Sequence, residues 1–518
     1  MASKRPSETA RQRAERLTAQ LNAEKAAFAL REFRAAKREM LALGDYNAAR
    51  RTRLKSGRRP WVGSGDAHLD QPTLTALRTE SQRAARNNPV ARAMLRRLRD
   101  CVIGRGMTLQ VTASDREWAL NVQDRFTEWF ETQADVRGLL SGSAMQGMVF
   151  EAMLRDGDVG TLQCLTERGH QLQIVEGDLI GNPNGVRDSD TMVNGVETDA
   201  WGRPVAYHVA QYQRTGSGIK PGSWRRLEAS NFIFLAHLQR PSQTRGEPAL
   251  AASIDLLNHL DRLIEAVIVA MRVAACQAMV VKRNFPGLAQ NSLLGGVVQR
   301  GDGTVERRLE IQPGAVTLLN PGEEMEQFRP EHPHQQFDQM ARTLIRMVGT
   351  DLYLPLELVL LDYSQTNFHS ARSASAQAYR GFDAMADWFR SRWLRPIYRW
   401  WVGEQMAMGR IEWREDWADH NWIAPPRPVF DPKAEAEATL TRINGNLETL
   451  DEALSREGRD IREVLVQRAL EVAEQDRLNI TPPGLPGQQP TQGPAADAQP
   501  AQAPAASPAA PTPQGTPQ

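Results

Sequence analysis

The stretch LQRPSQTRGEPALAASIDLLNHLDRLIEAVIVAMRVAACQA runs from Leu238 to Ala278. Its second half decides the architecture. Leu256, Leu257, Leu260, Leu263, Ile264, Val267, Ile268 and Met271 recur at intervals of three and four, the repeat of one face of an α-helix. The pattern predicts a helix over 248–282, the longest periodic one in the chain. Ala266, Ala270, Ala274 and Ala278 form a ladder in its far half. Small residues at that spacing let a second helix approach closely. The helix therefore packs either within its own domain or on copies of itself in an oligomer. The apolar run 266–281 is 16 residues long and contains Arg272. It is short for a membrane span and reads as a buried helix, so no membrane partner is expected.

Upstream, a helix is predicted over 72–102, broken at Asn87-Asn88-Pro89, because proline disfavours helix at the residue before it. It carries seven arginines, at 78, 83, 86, 92, 96, 97 and 99. Of these, Arg92, Arg96, Arg97 and Arg99 form a candidate basic face. A strand at 106–112 and helices at 114–132 and 138–154 follow. Residues 158–236 break into short strand-like runs with Gly, Asn and Pro turns. Downstream come more short strands over 284–330, a helix at 335–349, and a helix at 370–407 that Pro396 should bend. Seven of the twelve tryptophans lie in 388–422, which marks an aromatic core. Two acidic helices are expected at 432–456 and 460–478, broken near Gly458. A helix is also expected at 7–42. Residues 481–518 hold eleven prolines and one charged residue, Asp497; such a tail cannot bury apolar surface and should be disordered.

With 518 residues, 41% hydrophobic and 24% charged, the chain has enough material for several domains. Net charge is +1, but residues 1–60 hold 16 Lys/Arg against 6 Asp/Glu, and 431–480 hold 7 against 12. Basic and acidic ends hint at interactions rather than at a fold. Cys101, Cys164 and Cys276 lie far apart, which offers no disulfide framework and points to a reducing compartment. The segment MASKRPSETARQR lacks the apolar core of a secretory signal.

The most chemistry-rich stretch is LLDYSQTNFHSARSA (360–374), with Asp362, His369, Ser370 and Arg372. A Ser–His–Asp triad needs serine and histidine facing each other beside an oxyanion hole. His369 and Ser370 are neighbours in sequence, and no GxSxG elbow occurs. The stretch reads instead as a turn whose Asn367 or Ser370 caps a helix starting near Ala371. His332 and His334 form an HxH without a nearby third ligand. No GxxxxGK[ST] phosphate loop occurs. No catalytic, metal or cofactor residue is therefore expected, and the protein is not expected to be an enzyme. The arginines of 78–99 and the basic arm could neutralise phosphates. That leaves a DNA-binding protein as the alternative reading and a serine hydrolase as the remotest.

Several stretches, in order, resemble one family. YNAARRTR followed by LRTESQRAARNNPVARAMLRRLRDCVIGRGMTLQ (77–110), LQRPSQTRGEPALAASI (238–254), LPLELVLLDYSQTNFHSARSA, and GNLETLDEALSREGRDIREVLVQRALE are similar to segments of lambda-type bacteriophage portal proteins. The resemblance covers roughly 45–478. It implies structural roles for Arg240, Gln243, Arg245, Gly246, Asn367, Ser370 and Arg372. Phe368-His369 departs from the family's usual Tyr-Ser, and the family has no catalytic histidine there.

The implied fold is an α+β portal fold, mainly helical with a β-rich insert, assembled as a ring of about twelve subunits. The implied parts are a basic arm (1–59), wing (60–165 and 284–345), a β-rich region with the clip (166–247) and a stem helix (248–283). A long helix and aromatic core (346–430), crown helices (431–480) and a tail (481–518) follow. A tunnel loop near 321–337 would bring Arg329, His332, His334 and Gln335 toward DNA. The ladder Ala266, Ala270, Ala274 and Ala278 would be the stem contact. Implied partners are other copies of the chain, non-specific double-stranded DNA, the terminase large subunit, the major capsid protein or scaffold, and a head-completion adaptor. The implied location is the capsid portal vertex of the virion, after assembly in the host cytoplasm.

Overall fold

Asn88 sets the first corner of the structure. Its side-chain oxygen accepts from the N–H groups of Val90 and Ala91, both at 2.9 Å. Its own N–H closes helix α1 (Gln71–Asn87) by donating to Ala84. Helix α2 (Pro89–Val102) then starts with proline where a missing N–H costs nothing. The predicted break is where the sequence put it. The structure, a computed structural model, describes residues 63–213, 218–220, 222–276, 280–283, 296–299, 305–308, 323–326, 337–364 and 367–478. The arm 1–59, its expected helix and the 481–518 tail lie outside the described residues.

The architecture mixes helix and sheet. Strand β1 (Thr108–Val111) leads to α3 (Arg116–Thr132) and α4 (Gly142–Asp156). Next come β2 (Asp158–Thr166) and β3 (Gly169–Glu176), then four short strands: β4 (Met192–Val193), β5 (Val196–Thr198), β6 (Pro204–Val209) and β7 (Arg225–Glu228). Strand β8 (Phe232–Ala236) returns to pair with β2, giving an antiparallel sheet of order β3-β2-β8; β4 to β7 form a second, in sequence order. The β-rich reading of 158–236 holds.

Helix α5 (Ile254–Cys276) is shorter than the predicted 248–282. Residues 280–283 are not helical but form β9 (Val280–Arg283), which pairs antiparallel with β12 (Glu323–Glu326). Between these lie β10 (Gly296–Gln299) and β11 (Val305–Arg308), paired with each other. Helices α6 (Phe337–Asp351), α7 (Leu356–Leu360) and α8 (Phe368–Phe389) follow. A π-helical turn, Arg390–Leu394, then joins α8 to α9 (Arg395–Ala407). Pro396 cannot donate back into the preceding turn, so the bend expected there is taken up as one widened turn. Strand β13 (His420–Ile423) pairs with β1, some 300 residues earlier in sequence. The predicted helix 432–456 is two helices, α10 (Pro432–Asn444) and α11 (Leu450–Arg456). Asn446 sits at φ +54° between them. Helix α12 (Ile461–Leu478) forms a separate unit with no buried residue.

The tryptophan-rich stretch builds the core as expected. Trp393, Trp401 and Trp422 are buried. Trp401 stacks on Trp129 at 5.3 Å and meets Phe126 edge-on at 5.4 Å. Trp393 stacks on Phe389 at 5.2 Å and donates its indole N–H to Thr161 at 2.9 Å. That bond ties α9's approach to the β2 sheet. Tyr398 lies on His420 at 4.0 Å. Burial, aided by Arg395 and Arg399, lowers the His420 pKa from 6.5 to about 4.

The denatured chain accepts a proton at His420 below pH 6.5, whereas the folded chain refuses it until about pH 4. Stability from this group is full above pH 6.5 and declines as pH falls across that window. Melting temperature between pH 4 and 7 should therefore fall less steeply in His420→Asn than in the parent; parallel slopes would contradict it.

Candidate functional site

The buried polar centre of the protein is built on Asp158, the first residue of β2, which is wholly inaccessible to solvent. Arg245 meets it in a fork, Nε to Oδ2 at 2.8 Å and Nη2 to Oδ1 at 2.8 Å. Arg78 of α1 adds Nη2 to Oδ1 at 2.6 Å, and Gly246 N–H donates to Oδ2 at 3.1 Å. The two guanidinium groups spend their remaining donors on backbone carbonyls. Arg245 reaches Ile180 and Asn194, both at 2.7 Å, and Gly177 at 2.8 Å. Arg78 reaches Asp156 at 2.7 Å and Gly177 at 2.9 Å. Burial pushes the Arg78 pKa below its ordinary value, opposed by the nearby Asp158. One carboxylate thus fixes α1, the α4–β2 junction and the loop before α5.

That loop is the Arg240–Gly246 segment singled out in the sequence. Gln243 folds it by accepting from the N–H groups of Gln239 and Arg240 at 2.6 and 2.7 Å. Thr244 donates twice to Asp66, and Arg240 reaches Gly63 at 3.1 Å. Gly246 has no room for a side chain, since a Cβ would stand 2.0 Å from the Gly157 carbonyl oxygen. These residues position backbone. Sequence reading missed Arg78 and Asp158. The available signal is an acid at the head of a predicted strand, in the RDGDVG segment (155–160).

Of the candidate basic face, Arg92 and Arg96 are exposed, while Arg92 and Arg99 have partners within the chain. Arg92 donates to the Ala85 carbonyl at 3.0 Å and to that of Arg86, covering the C-terminal end of α1. Arg99 pairs with Asp100 and Glu151, each at 2.8 Å. Arg97 is half-buried, and Arg96 is exposed. The candidate catalytic cluster is likewise structural. Asp362 accepts from Ser364 N–H at 3.0 Å and from Arg342 at 2.8 Å. Hydrogen bonds from Ser364 and Arg342 hold its carboxyl down at about 2. Asn367 caps α8 through Ser370 N–H at 2.8 Å, so the helix begins at Phe368 rather than near Ala371. Arg372 reaches Glu435 of α10 at 4.0 Å.

Helix α5 is anchored at its N-terminal end. Ile254, Leu257 and Leu260 are buried, whereas Ile264, Ile268, Val269 and Met271 are exposed. Ala266 is exposed and Ala270 half-buried, and α5 packs against α6. On α6, Met340 and Met347 are also exposed. The side chain of Ala274, together with Ala278, Arg329, His332, His334 and Gln335, lies outside the described residues. Among the described residues there is no metal-binding cluster and no helix long and apolar enough to cross a membrane.

A family model described as "Phage portal protein, lambda family" matches residues 51–385. A protein of Halomonas phage phiHAP-1 named "Probable portal protein" is 23% identical over 483 residues, covering 86% of this chain and 90% of its own. "Portal protein B" of Escherichia phage lambda is 21% identical over 342 residues, covering 60% of this chain and 64% of its own. Among solved structures, the "Neck of native GTA particle computed with C12 symmetry" aligns over 78% of this chain and 96% of its own, at 12% identity and a TM-score of 0.47. A portal protein of the HK97 family from Corynebacterium diphtheriae aligns over 69% and 96%, at 11% identity and 0.31.

Removing the Asp158 charge strands two buried guanidinium groups, so Asp158→Asn should cost roughly 3–5 kcal/mol. Gly246→Ala should also destabilise by forcing apart two backbones. Denaturant midpoints check both; near-parental midpoints would refute the hub's structural role.

Proposed function

The chain belongs to the lambda family of phage portal proteins, and from that premise we propose that it assembles into a ring of about twelve copies, the symmetry named for the gene transfer agent neck. The ring sits at one vertex of the capsid, and DNA enters and leaves through its central channel. The family is a structural component of the virion rather than an enzyme family. One observation carries the ring reading. The far half of α5 is apolar on several sides, yet leaves its own core with Ile264, Ile268, Val269 and Met271 exposed. A helix that is apolar all round belongs in a packed interior. Here the interior would be supplied by α5 and α6 of neighbouring copies, with Ala266 and Ala270 allowing close approach.

The stem is then the α5–α6 pair. The paired strands β9 and β12 bound the segment 280–326, which lies between the two helices in sequence. We assign the clip to that segment rather than to 166–247. The reason is that β2, β3 and β8 contribute Val159, Leu172, Ile233 and Leu235 to the main core. The wing keeps residues 60–165, and the crown comprises α10 to α12. The terminase large subunit would dock at the clip during packaging, and a head-completion adaptor afterwards. Capsid or scaffold protein would surround the ring, which assembles in the host cytoplasm. DNA contact is non-specific, as sliding requires.

Ile268→Asp tests the carrying observation. Ile268 is 42% exposed in the single chain, so the protomer should melt as the parent does. Rings of about twelve copies, seen for the parent in negative-stain micrographs and by mass photometry, should be lost, because an unpaired charge in an apolar contact costs several kcal/mol. Normal rings from Ile268→Asp would refute the stem contact, and a parent that stays monomeric would refute the ring.

A further inference from the structure

The turn between β5 and β6 presents a tryptophan that its own fold does not use. Asp199 N–H donates to the Arg203 carbonyl at 2.9 Å, and Gly202 N–H returns to the Asp199 carbonyl at 2.9 Å. The Asp199 carboxylate accepts from the N–H groups of Trp201 and Arg203 at 2.9 and 2.8 Å. Gly202 supplies the positive φ, +77°, that closes the turn. On this fixed support Trp201 is 93% exposed, with Arg203 and Val205 exposed beside it. Tryptophan and arginine dominate the energetics of protein interfaces. A turn already held in shape loses little freedom on docking.

A second feature has the complementary character. Ser114 and the loop Glu412–Asp419 line an open cleft of about 610 Å³ with Trp413, Arg414, Glu415 and Asp416 on its walls. Trp413 is 69% exposed. Arg414 is engaged by Asp115 and Asp416, at 3.0 and 3.4 Å. Asp416 also accepts from Ser114 at 2.6 Å. Glu412, Glu415 and Asp419 remain exposed around the rim. The cleft therefore combines an aromatic wall with surplus negative charge, suited to an indole accompanied by a guanidinium.

We infer that Trp201 and Arg203 of one protomer dock into the Ser114/Glu412–Asp419 cleft of the next copy. The inference rests on the ring reading. A ring joins two unlike patches of the same chain at every contact. A tip that exposes Trp201 and Arg203 and a cleft with an acidic rim are such a pair. In the docked state Trp201 lies against Trp413, and Arg203 faces Glu415 and Asp419.

The test uses the full-length chain and measures assembly against concentration by mass photometry, with melting curves as folding controls. Trp201→Ala should melt as the parent does and need a roughly tenfold higher concentration for half-assembly. Arg203→Glu and Asp419→Arg should each weaken assembly, and the double variant should recover it. Parental assembly by Trp201→Ala, or a double variant no better than either single one, would overturn the contact while leaving the ring intact. A parent chain that never forms rings would overturn the ring reading and this contact together.

Discussion

A single buried carboxylate holds the α1–α4 region in register with the loop that launches α5. Asp158 faces two guanidinium groups in a site closed to water. Coulomb attraction alone does not justify this arrangement, because desolvating three charged groups offsets most of the gain. The directional donors supply the rest. Between them Arg78 and Arg245 address the carbonyls of Asp156, Gly177, Ile180 and Asn194. Apolar side chains of equal volume would fill the space and leave those carbonyls unpaired, a cost of about 1–3 kcal/mol each. The hub is therefore a device for placing irregular backbone, where no sheet or helix ladder can do so.

The placement has a direct consequence for α5. Gly246 and Glu247 pass against Gly157 and His237, and Ala249 N–H donates to the Leu154 carbonyl. Leu250, Ile254, Leu257 and Leu260 then sink into the core. The helix is thus aimed and anchored at its N-terminal end, while its C-terminal half leaves the core with apolar side chains exposed. The exposed apolar side chains of that half leave surface for a further packing partner.

Local signals were legible in the sequence and distant ones were not. Asn88 before proline and Asn367 before a helical run act over a few residues, and the tryptophan cluster, although it packs on distant Trp129 and Thr161, sits in the core where expected. The far end of α5 does not. Alanine-rich sequence favours helix, yet Val280–Arg283 pairs as a strand with Glu323–Glu326, a non-local partner that overrides propensity. The Asn444-Gly445-Asn446 break was readable but was passed over for Gly458. Arg92, Arg96, Arg97 and Arg99 read from the sequence as one basic face. A sequence shows that a charge is present but not what it faces. Arg78 finds Asp158, and Arg99 finds Glu151, across 80 and 52 residues of chain.

The engagement of these cations within the chain bears on how strongly the two helices can hold phosphates. Phosphate binding grows with the number of cations free to displace counterions. In α1 and α2 the cations Arg78 and Arg99 are already committed to carboxylates and Arg92 to backbone carbonyls. The chain's net charge is +1, and residues 1–60 carry +10 of it, leaving −9 for the remainder. A net charge of that sign supplies no long-range attraction for a polyanion. A strand held at many phosphates could not be moved without breaking many contacts at once. The largest excess of cations lies in the basic arm, +10 over residues 1–60, whereas residues 71–102 carry seven arginines against two acids.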